Sequence, residues 1–470
     1  MVSVSAAGQM SDLASRMSEK LHVRDDIIDH STADSINADK PDWLTERLDW
    51  FMDMKVGLIL HWAPYCQWDC CESWPLVPSV KFGRHDGMRC WLERDRDLDR
   101  FTADYRKLNE TFNPVGFDPA SWADITRRSG IKYMALTTKH HDGFCMWDTA
   151  TTDYRITHSS CPFSSNPRAN IVREVFDAFR AEGMAISCYF SKSDWHTPYY
   201  WHPNWSVINS RPTYATAEHP ELWRKFVKFA HAQVRELMSD YGKIDILWLD
   251  GGQVKPPELD LDMPGMAAMA RALQPGLIIA DRTVGGDFED IITPEGHLPD
   301  EPLGAPWESC MPMGRGWKHS PENDEPNFSA EKLIRLLVEA VAKGGNLLLG
   351  TGPTPDGTLE PEAVGPLLAL GDWLRVNGDA IYGTRPLAPY VEGDLFYTRK
   401  DGRRFVIVAS EPGRALPASI RLGSVRPAPG EATVLLGHGA LEYTAGGHEW
   451  VVDLPESVRS EAACVLQFGG

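Results

Sequence analysis

The chain has 470 residues, of which 43% are hydrophobic and 24% are charged, as in an ordinary soluble globular protein. Its net charge is −19 and it has no cluster of lysine and arginine, which argues against a polyanionic partner such as nucleic acid. No apolar run approaches the roughly 20 residues that a transmembrane helix needs, so the sequence predicts no membrane span.

The first forty residues are polar and mixed in charge, without the basic start and apolar core of a signal peptide. They predict a partly ordered lead-in over residues 1–47 and a cytoplasmic protein, or a periplasmic or secreted one if a leader has been removed. Cys66, Cys70 and Cys71 cluster, but no second pair at zinc spacing accompanies them. The nine cysteines are therefore expected to be free thiols in a reducing compartment.

Strand and helix patterns alternate over residues 48–384. An apolar run at 55–60 is followed by a helical pattern at 119–129 and a second apolar run at 131–138. The helix-then-strand pairs after these are 171–181 with 184–190, 221–241 with 244–249, 263–273 with 276–280, and 329–343 with 345–350. This repetition favours a (β/α)8-like, TIM-type barrel over a doubly wound sheet, whose Gly-rich dinucleotide fingerprint is absent after the first strand.

The alternation of strand and helix patterns ends at about residue 385. Short segments that alternate apolar and polar residues follow at strand-like spacing, separated by Gly, Pro and Asp turns. They are 395–399, 404–410, 418–422, 434–436, 441–444, 449–454 and 463–468. Residues 385–470 are therefore predicted to form a small antiparallel β-sandwich behind the barrel.

Polar residues of the types that occur in active sites follow the apolar runs of the barrel. Active sites of barrel enzymes lie at the carboxyl ends of the strands. Taken alone, Asp250 could cap a following helix, and each histidine could be a satisfied structural residue. Their recurrence at strand ends favours a functional site. The residues at or near such ends are His61, His140, His141, Tyr189, Asp250 and Arg282.

Three functions could use this set. Metal-assisted hydrolysis needs several ligands on one ion, but His140 and His141 are adjacent, and neighbouring strand residues point to opposite faces. Glycoside hydrolysis needs two carboxylates flanking the scissile bond, which Asp250 and either Glu295 or Glu308 could provide. A sugar-binding module without chemistry would use the same donors and aromatic faces, but it would not require the carboxylate pair.

Six stretches of sequence, read together, carry a family resemblance. They are Lys55-Val56-Gly57 with His61-Trp62, the run Leu136 to Phe144, Tyr189-Phe190-Ser191 with Asp194-Trp195, Leu247-Trp248-Leu249-Asp250, Gly344 to Leu349, and Ala380 to Thr384. This combination resembles the α-L-fucosidase family, glycoside hydrolase family 29, from about residue 48 to 385. Beyond residue 385 the sequence is similar to the family only in its pattern of short strand-like segments.

The resemblance implies a retaining exo-glycosidase that acts on a carbohydrate without a metal or other cofactor. Asp250 would be the nucleophile that forms a covalent glycosyl-enzyme. Glu295 is the favoured acid/base and Glu308 the runner-up. The family's sugar-contacting positions match His61, His140, His141, Tyr189, Trp248 and Arg282, and Trp317 resembles the aromatic residue that closes over the ring.

One loop departs from the family pattern. The family usually follows His-Trp with Gly and then Glu-Trp-Tyr, whereas this chain has Ala63-Pro64-Tyr65 and later Glu72 and Trp74, which are expected to hold sugar hydroxyls. Gly350 stands where the family tends to have Asn. The sequence therefore predicts a retaining α-L-fucosidase. The alternatives are an enzyme for another terminal α-L-hexoside, such as an α-L-galactoside or α-L-glucoside, or an inactive sugar-binding relative. Homo-oligomerisation is left open.

Overall fold

The structure is a computed structural model that describes residues 31–36, 39–80, 83–84, 86–314, 316–319, 328–428, 430–446 and 449–469. Most of the predicted lead-in lies outside the described residues. Among the helices of the described ranges, none combines the length and apolar character that a bilayer crossing demands.

Seven strands form one parallel sheet, in the order β5-β4-β3-β2-β1-β7-β6. Nearly every residue in these strands is buried, because helices cover one face and the barrel interior covers the other. Six of the seven strands coincide with predicted apolar runs. The strands are β1 Val56–Leu60, β2 Tyr133–Lys139, β3 Ala185–Ser191, β4 Ile246–Asp250, β5 Ile278–Asp281, β6 Glu308–Pro312 and β7 Asn346–Thr351.

Nine α-helices lie in the described ranges. Ser329 is the predicted N-cap of one of them, and its hydroxyl accepts the backbone N–H of Lys332. The helices are α1 Asp42–Met54, α2 Arg89–Leu92, α3 Leu98–Tyr105, α4 Pro119–Arg128, α5 Ile171–Ala181, α6 Pro220–Asp240, α7 Met263–Leu273, α8 Ala330–Ala342 and α9 Pro361–Asn377. Short 3₁₀ segments lie at Ala33–Ser35, Pro64–Gln67, Trp74–Leu76, Leu108–Glu110, Pro162–Ser165, Gly378–Ala380 and Glu456–Val458.

The chain between β5 and β6 closes the gap between the two edges of the parallel sheet. It does so through isolated bridges rather than a full eighth strand. The bridges join Ala280 to Glu289, Ile292 to Trp307, and Glu295 to Cys310. The predicted barrel is therefore confirmed, with an irregular segment in the place of one strand.

Helix α1 covers the amino end of the barrel. Its buried Leu44, Leu48 and Phe51 belong to the same apolar cluster as Tyr133 and Ile246, which begin β2 and β4. The buried residues lie on one face of the helix, and Thr45, Glu46 and Asp49 on the other side are exposed. The sequence analysis assigned no helix there.

Two antiparallel sheets follow the barrel, as predicted. The larger has the order β13-β12-β16-β10-β9-β8 and the smaller the order β11-β15-β14. Trp373 of α9 donates its indole N–H to the Ala463 carbonyl of β16, which joins the sheets to the barrel. The single strand predicted at 441–444 is wrong, because one strand ends at Leu441 in the larger sheet and the next begins at Tyr443 in the smaller sheet. The strands are β8 Arg385–Glu392, β9 Leu395–Lys400, β10 Arg403–Ala409, β11 Ser419–Arg421, β12 Thr433–Leu435, β13 Gly439–Leu441, β14 Tyr443–Gly446, β15 Glu449–Asp453 and β16 Ala463–Phe468.

Candidate active site

One pocket opens at the carboxyl ends of the barrel strands. Its volume is about 760 Å³, counting the part open to solvent. Eleven of the twelve residues predicted for the site line it, and only Glu308 does not. The eleven are His61, Glu72, Trp74, His140, His141, Tyr189, Trp248, Asp250, Arg282, Glu295 and Trp317.

Asp250 is the last residue of β4, and backbone contacts on both sides fix its position. Lys192 donates its N–H to the Asp250 carbonyl at 2.8 Å, and Arg282 donates its N–H to Leu249 at 3.2 Å. The next helix begins only at Met263 and is capped by Asp262, so Asp250 is not a helix cap. Its carboxylate points instead into the pocket.

Three donors hold the Asp250 carboxylate. Tyr189 donates its hydroxyl to Oδ2 at 2.6 Å, and both the Gly251 N–H at 2.8 Å and the Arg282 guanidinium at 2.9 Å donate to Oδ1. Burial opposes ionisation, but the charge of Arg282 and the hydrogen bond from Tyr189 outweigh it and hold the pKa of Asp250 well below its ordinary value. The carboxylate is therefore ionised at neutral pH.

Arg282 bridges the two carboxylates of the pocket. Its NH1 contacts Asp250 at 2.9 Å and its NH2 contacts Glu295 Oε2 at 2.8 Å, while its Nε donates to Thr293 at 3.0 Å. The face of Trp248 lies 4.4 Å from the guanidinium carbon. One rigid cation thus fixes the spacing between the two acids.

Main-chain hydrogen bonds fix the segment that carries Glu295. Cys310 of β6 donates its N–H to Pro294, and Gly296 donates to the Cys310 carbonyl, both at 2.9 Å. Glu295 is therefore held beside β6 as a strand residue would be, although it belongs to no strand. Its side chain is only 12% exposed.

Glu308 lies deeper than the pocket. It is the first residue of β6 and pairs with Asn346, the first residue of β7, so it belongs to the amino half of the barrel. Tyr133 donates a hydroxyl to its carboxyl group, and Trp248 donates its indole N–H at 3.2 Å. Burial raises its pKa to about 7. Glu308 thus supports the Trp248 ring from below.

The adjacent histidines both line the pocket, contrary to the expectation that they would point apart. Strand β2 ends at Lys139, so the alternation of strand side chains no longer applies at His140 and His141. Their ring centroids are 4.4 Å apart. Nitrogen atoms of both rings and an Asp250 oxygen lie within 4.8 Å of one another, which is close enough for one metal ion. A cation there would meet the positive charge of Arg282.

Burial lowers the pKa of all three pocket histidines, to about 3 for His61, so they are neutral. Ser191 donates its one hydroxyl proton to Ser193 at 2.8 Å and therefore accepts from His141 Nδ1 at 2.6 Å. This assigns the lone pair to His141 Nε2, 3.6 Å from Asp250. The Nδ1 atom of His61 is buried without a hydrogen-bond partner.

The loop that departs from the family pattern still brings Glu72 and Trp74 to the pocket. Glu72 has a φ of 39°, and its carboxylate accepts from the Cys71 thiol at 3.2 Å. The Trp74 ring meets the edge of His141 at 5.1 Å. A left-handed backbone at a non-glycine residue is strained, which is common at functional sites.

Trp317 covers the pocket from the side of His61, with ring centroids 5.1 Å apart. The ring also lies against Gly350 of β7. A Cβ atom at Gly350 would come within 2.5 Å of Trp317 Cε3. The departure from the family's asparagine thus leaves space for this tryptophan.

Six pocket residues escaped the sequence analysis. Gly251, Gly252, Gln253 and Thr283 directly follow predicted strands, so their position at strand ends could have identified them. Ile59 and Cys310 lie inside strands and look like ordinary core residues in the sequence.

The chain is similar to known proteins over most of its length. The family model described as alpha-L-fucosidase matches residues 29–379. The plasma alpha-L-fucosidase of Homo sapiens is 29% identical over 375 residues, which is 76% of this chain and 74% of the human protein.

Solved structures match over more of the chain. Alpha-L-fucosidase isoenzyme 1 from Paenibacillus thiaminolyticus has a TM-score of 0.73 at 27% identity, covering 91% of this chain and 99% of the other. The Thermotoga maritima alpha-fucosidase in complex with fucose has a TM-score of 0.70 at 27% identity, covering 92% and 100%.

Proposed function

The chain belongs to the α-L-fucosidase family, and on that premise we propose that it hydrolyses terminal α-L-fucosides with retention of configuration through Asp250 and Glu295. It is a glycoside hydrolase, as its membership of this family shows. The observation that carries the residue roles is that one guanidinium binds both acids in the same pocket.

The proposed nucleophile is Asp250. A nucleophilic carboxylate must be ionised, and its depressed pKa meets that requirement. It attacks the anomeric carbon, the glycosidic bond breaks, and a covalent glycosyl-enzyme forms. Tyr189 and Arg282 donate to this carboxylate and hold it in position for the attack.

The proposed acid/base is Glu295. In a retaining enzyme the two carboxyl groups are about 5–5.5 Å apart, which requires both to reach one small space. Glu295 shares a guanidinium with Asp250, whereas Glu308 lies at the other end of β6 and contacts Tyr133 and Trp248. Glu295 protonates the leaving oxygen and then takes a proton from the water that hydrolyses the intermediate.

The remaining pocket residues have the chemistry to hold sugar hydroxyls. Neutral imidazoles offer one donor and one acceptor each. The Nδ1 atom of His61 has no partner, and the assigned lone pair of His141 faces the position beside Asp250. Trp74 and Trp317 provide flat faces on two sides.

Replacing Asp250 by alanine tests this proposal. We expect the variant to lose about 10⁴-fold or more of its activity on an aryl α-L-fucoside and to keep its fold. Azide should occupy the vacated space and restore turnover, with a glycosyl azide of inverted configuration as product. Asp260→Ala, at an exposed aspartate of the same loop, is the control and should behave like the parent protein.

Two further results would contradict the proposal. Unchanged turnover in Asp250→Ala would exclude it as nucleophile, and activity abolished by a chelator would favour a metal at His140 and His141. A panel of aryl α-L-fucoside, α-L-galactoside, α-L-glucoside and β-L-arabinoside decides which sugar is preferred. Binding of L-fucose without hydrolysis of any of them would identify a sugar-binding protein instead.

A further inference from the structure

The loop from β3 to α6, residues 192–219, has neither helix nor strand and is here called the rim loop. Connections longer than about 15 residues without secondary structure are uncommon in compact domains and are usually functional. Because it follows the carboxyl end of a barrel strand, the rim loop lies on the same face of the barrel as the pocket.

The rim loop is fixed directly to the pocket wall. Trp195 contacts two pocket residues, His141 at 5.0 Å and Trp74 at 5.4 Å between ring centroids. Trp201 stacks on Trp195, with ring centroids 5.1 Å apart. The indole N–H of Trp195 donates to the Ser210 carbonyl at 3.3 Å, so the far part of the loop folds back onto it.

The outer part of the rim loop presents an exposed aromatic surface, here called the Trp205 patch (His202, Trp205, Tyr214 and His219). Trp205 is 37% exposed, although its ring packs against three neighbours. Its centroid lies 4.7 Å from His202, 4.8 Å from His219 and 5.9 Å from Tyr214. The indole ring of Trp205 is thus fixed by its neighbours while part of it is exposed. The imidazoles of His202 and His219 place polar atoms beside it.

Only one other tryptophan of the described residues is as exposed. Trp43, 40% exposed, lies on α1 at the opposite end of the barrel and packs against the Arg271 guanidinium. A single exposed aromatic residue is normal on a protein surface, so the position of each tryptophan, and not its exposure alone, distinguishes the two. Trp205 is the one that lies on the face where a substrate enters.

We propose that the Trp205 patch is a carbohydrate subsite that binds a pyranose ring of the leaving group. This inference rests on the proposed function, because the pocket takes one terminal sugar and the rest of the glycan must cross the rim. The apolar face of the pyranose stacks on the indole, and the imidazoles of His202 and His219 bond to its hydroxyls.

Trp205→Ala tests the subsite with two substrates, an aryl α-L-fucoside and a pentasaccharide with one terminal α-L-fucose. The variant should lose about tenfold of kcat/KM on the pentasaccharide and stay within about twofold on the aryl fucoside. Trp205→Phe should recover part of the loss, since it keeps a flat ring. Trp43→Ala is the matched control and should change neither value.

An equal effect of Trp205→Ala on both substrates, or no effect on either, would overturn the subsite. Binding of the fucose-free tetrasaccharide, measured by saturation-transfer NMR, separates this result from failure of the proposed function. If the parent protein cleaves neither substrate but binds the tetrasaccharide through Trp205, the proposed hydrolysis fails and the subsite stands. If the tetrasaccharide binds equally to the parent protein and Trp205→Ala, or to neither, the subsite is refuted.

Discussion

The two ends of the barrel are built from the same strands, yet different kinds of side chain fill their openings. At the amino end, Leu44, Leu48 and Phe51 of α1 fill the opening with apolar side chains. At the carboxyl end, Asp250 and Arg282 are held in a partly closed pocket. Apolar burial stabilises the first end, whereas desolvation of charge costs free energy at the second.

Two buried ion pairs lie just behind the pocket. Lys139 contacts Asp194 at 3.1 Å, and Lys192 contacts Asp281 at 2.5 Å, with all four side chains at most 2% exposed. Such pairs contribute little net stability, because both ions lose water. The first pair joins the carboxyl ends of β2 and β3, and the second joins those of β3 and β5 on either side of β4, which carries Asp250. The two pairs therefore fix the strand ends around that acid. One end of this barrel thus contributes mainly stability, and the other fixes the positions of the acids.

Changing Glu295 should give the largest effect at the carboxyl end. Glu295→Ala should lower kcat/KM by about 10²- to 10⁴-fold on a natural fucoside, because the leaving oxygen is no longer protonated. Aryl fucosides with good leaving groups should be affected far less. Steady-state kinetics on both substrates provide the measurement. If Glu308→Ala shows this leaving-group dependence instead, the assignment of the acid is wrong.

Changing Leu48 at the amino end should lower stability and leave activity nearly unchanged. Leu48→Ala should lower the free energy of unfolding by about 2–5 kcal/mol, because it leaves a cavity between α1 and the barrel. Its kcat/KM at 25 °C should stay within about twofold of the parent value. Denaturant unfolding with parallel kinetics measures both. Leu92→Ala, at an exposed leucine, is the control, and an equal loss there would remove the contrast.

Glu308 is a polar group in the stable half, and it should make stability depend on pH. Its pKa is raised by burial from 4.5 to about 7, so the folded state binds its proton more tightly than the unfolded state. Stability should therefore fall as pH rises from about 4.5 through 7, by about 3 kcal/mol at most. Glu308→Gln should remove this slope, whereas Glu301→Gln, at an exposed glutamate, should retain it. Identical slopes in all three proteins would refute the argument.

The smallest effect is expected at the contact between β7 and the pocket. Gly350→Ala places a methyl group against Trp317 and should cost about 1–2 kcal/mol of stability. It should also raise KM for the fucoside, because the ring moves from the pocket wall. Gly365→Ala in α9, where a Cβ meets nothing within 4 Å, is the control. A KM that does not change would mean that Trp317 is not a sugar contact.

The elements that could be predicted from the sequence are those with one regular apolar face or one continuous apolar run. Helix α8 has one apolar face and was predicted to within one residue at each end. Strand β6 was missed, because Glu308, Ser309 and Pro312 break the apolar run that the other strands share. Helix α1 has one buried face but was missed, because Trp43 and Trp50 lie off that face and obscure the apolar spacing.

The residues of the site could be predicted as a group, but the distance of each one from the pocket could not. Position after a strand identified His61 and Asp250 correctly as pocket residues. The orientation of His141 depended on where β2 ends, which periodicity does not determine to one residue. Glu308 could not be distinguished from Glu295, since its distance from the pocket depends on the register of β6 against β7.

The bridging position of Arg282 has a consequence for the proposed catalytic cycle. Before the bond breaks, Asp250 carries the negative charge and Glu295 carries the proton. In the glycosyl-enzyme, Asp250 is a neutral ester and Glu295 has become the anion. One guanidinium nitrogen faces each acid, so a single unit of charge passes from one side of Arg282 to the other while the total within the pocket is conserved. The cycle then proceeds without the import or export of a counter-ion, and little solvent has to reorganise around it.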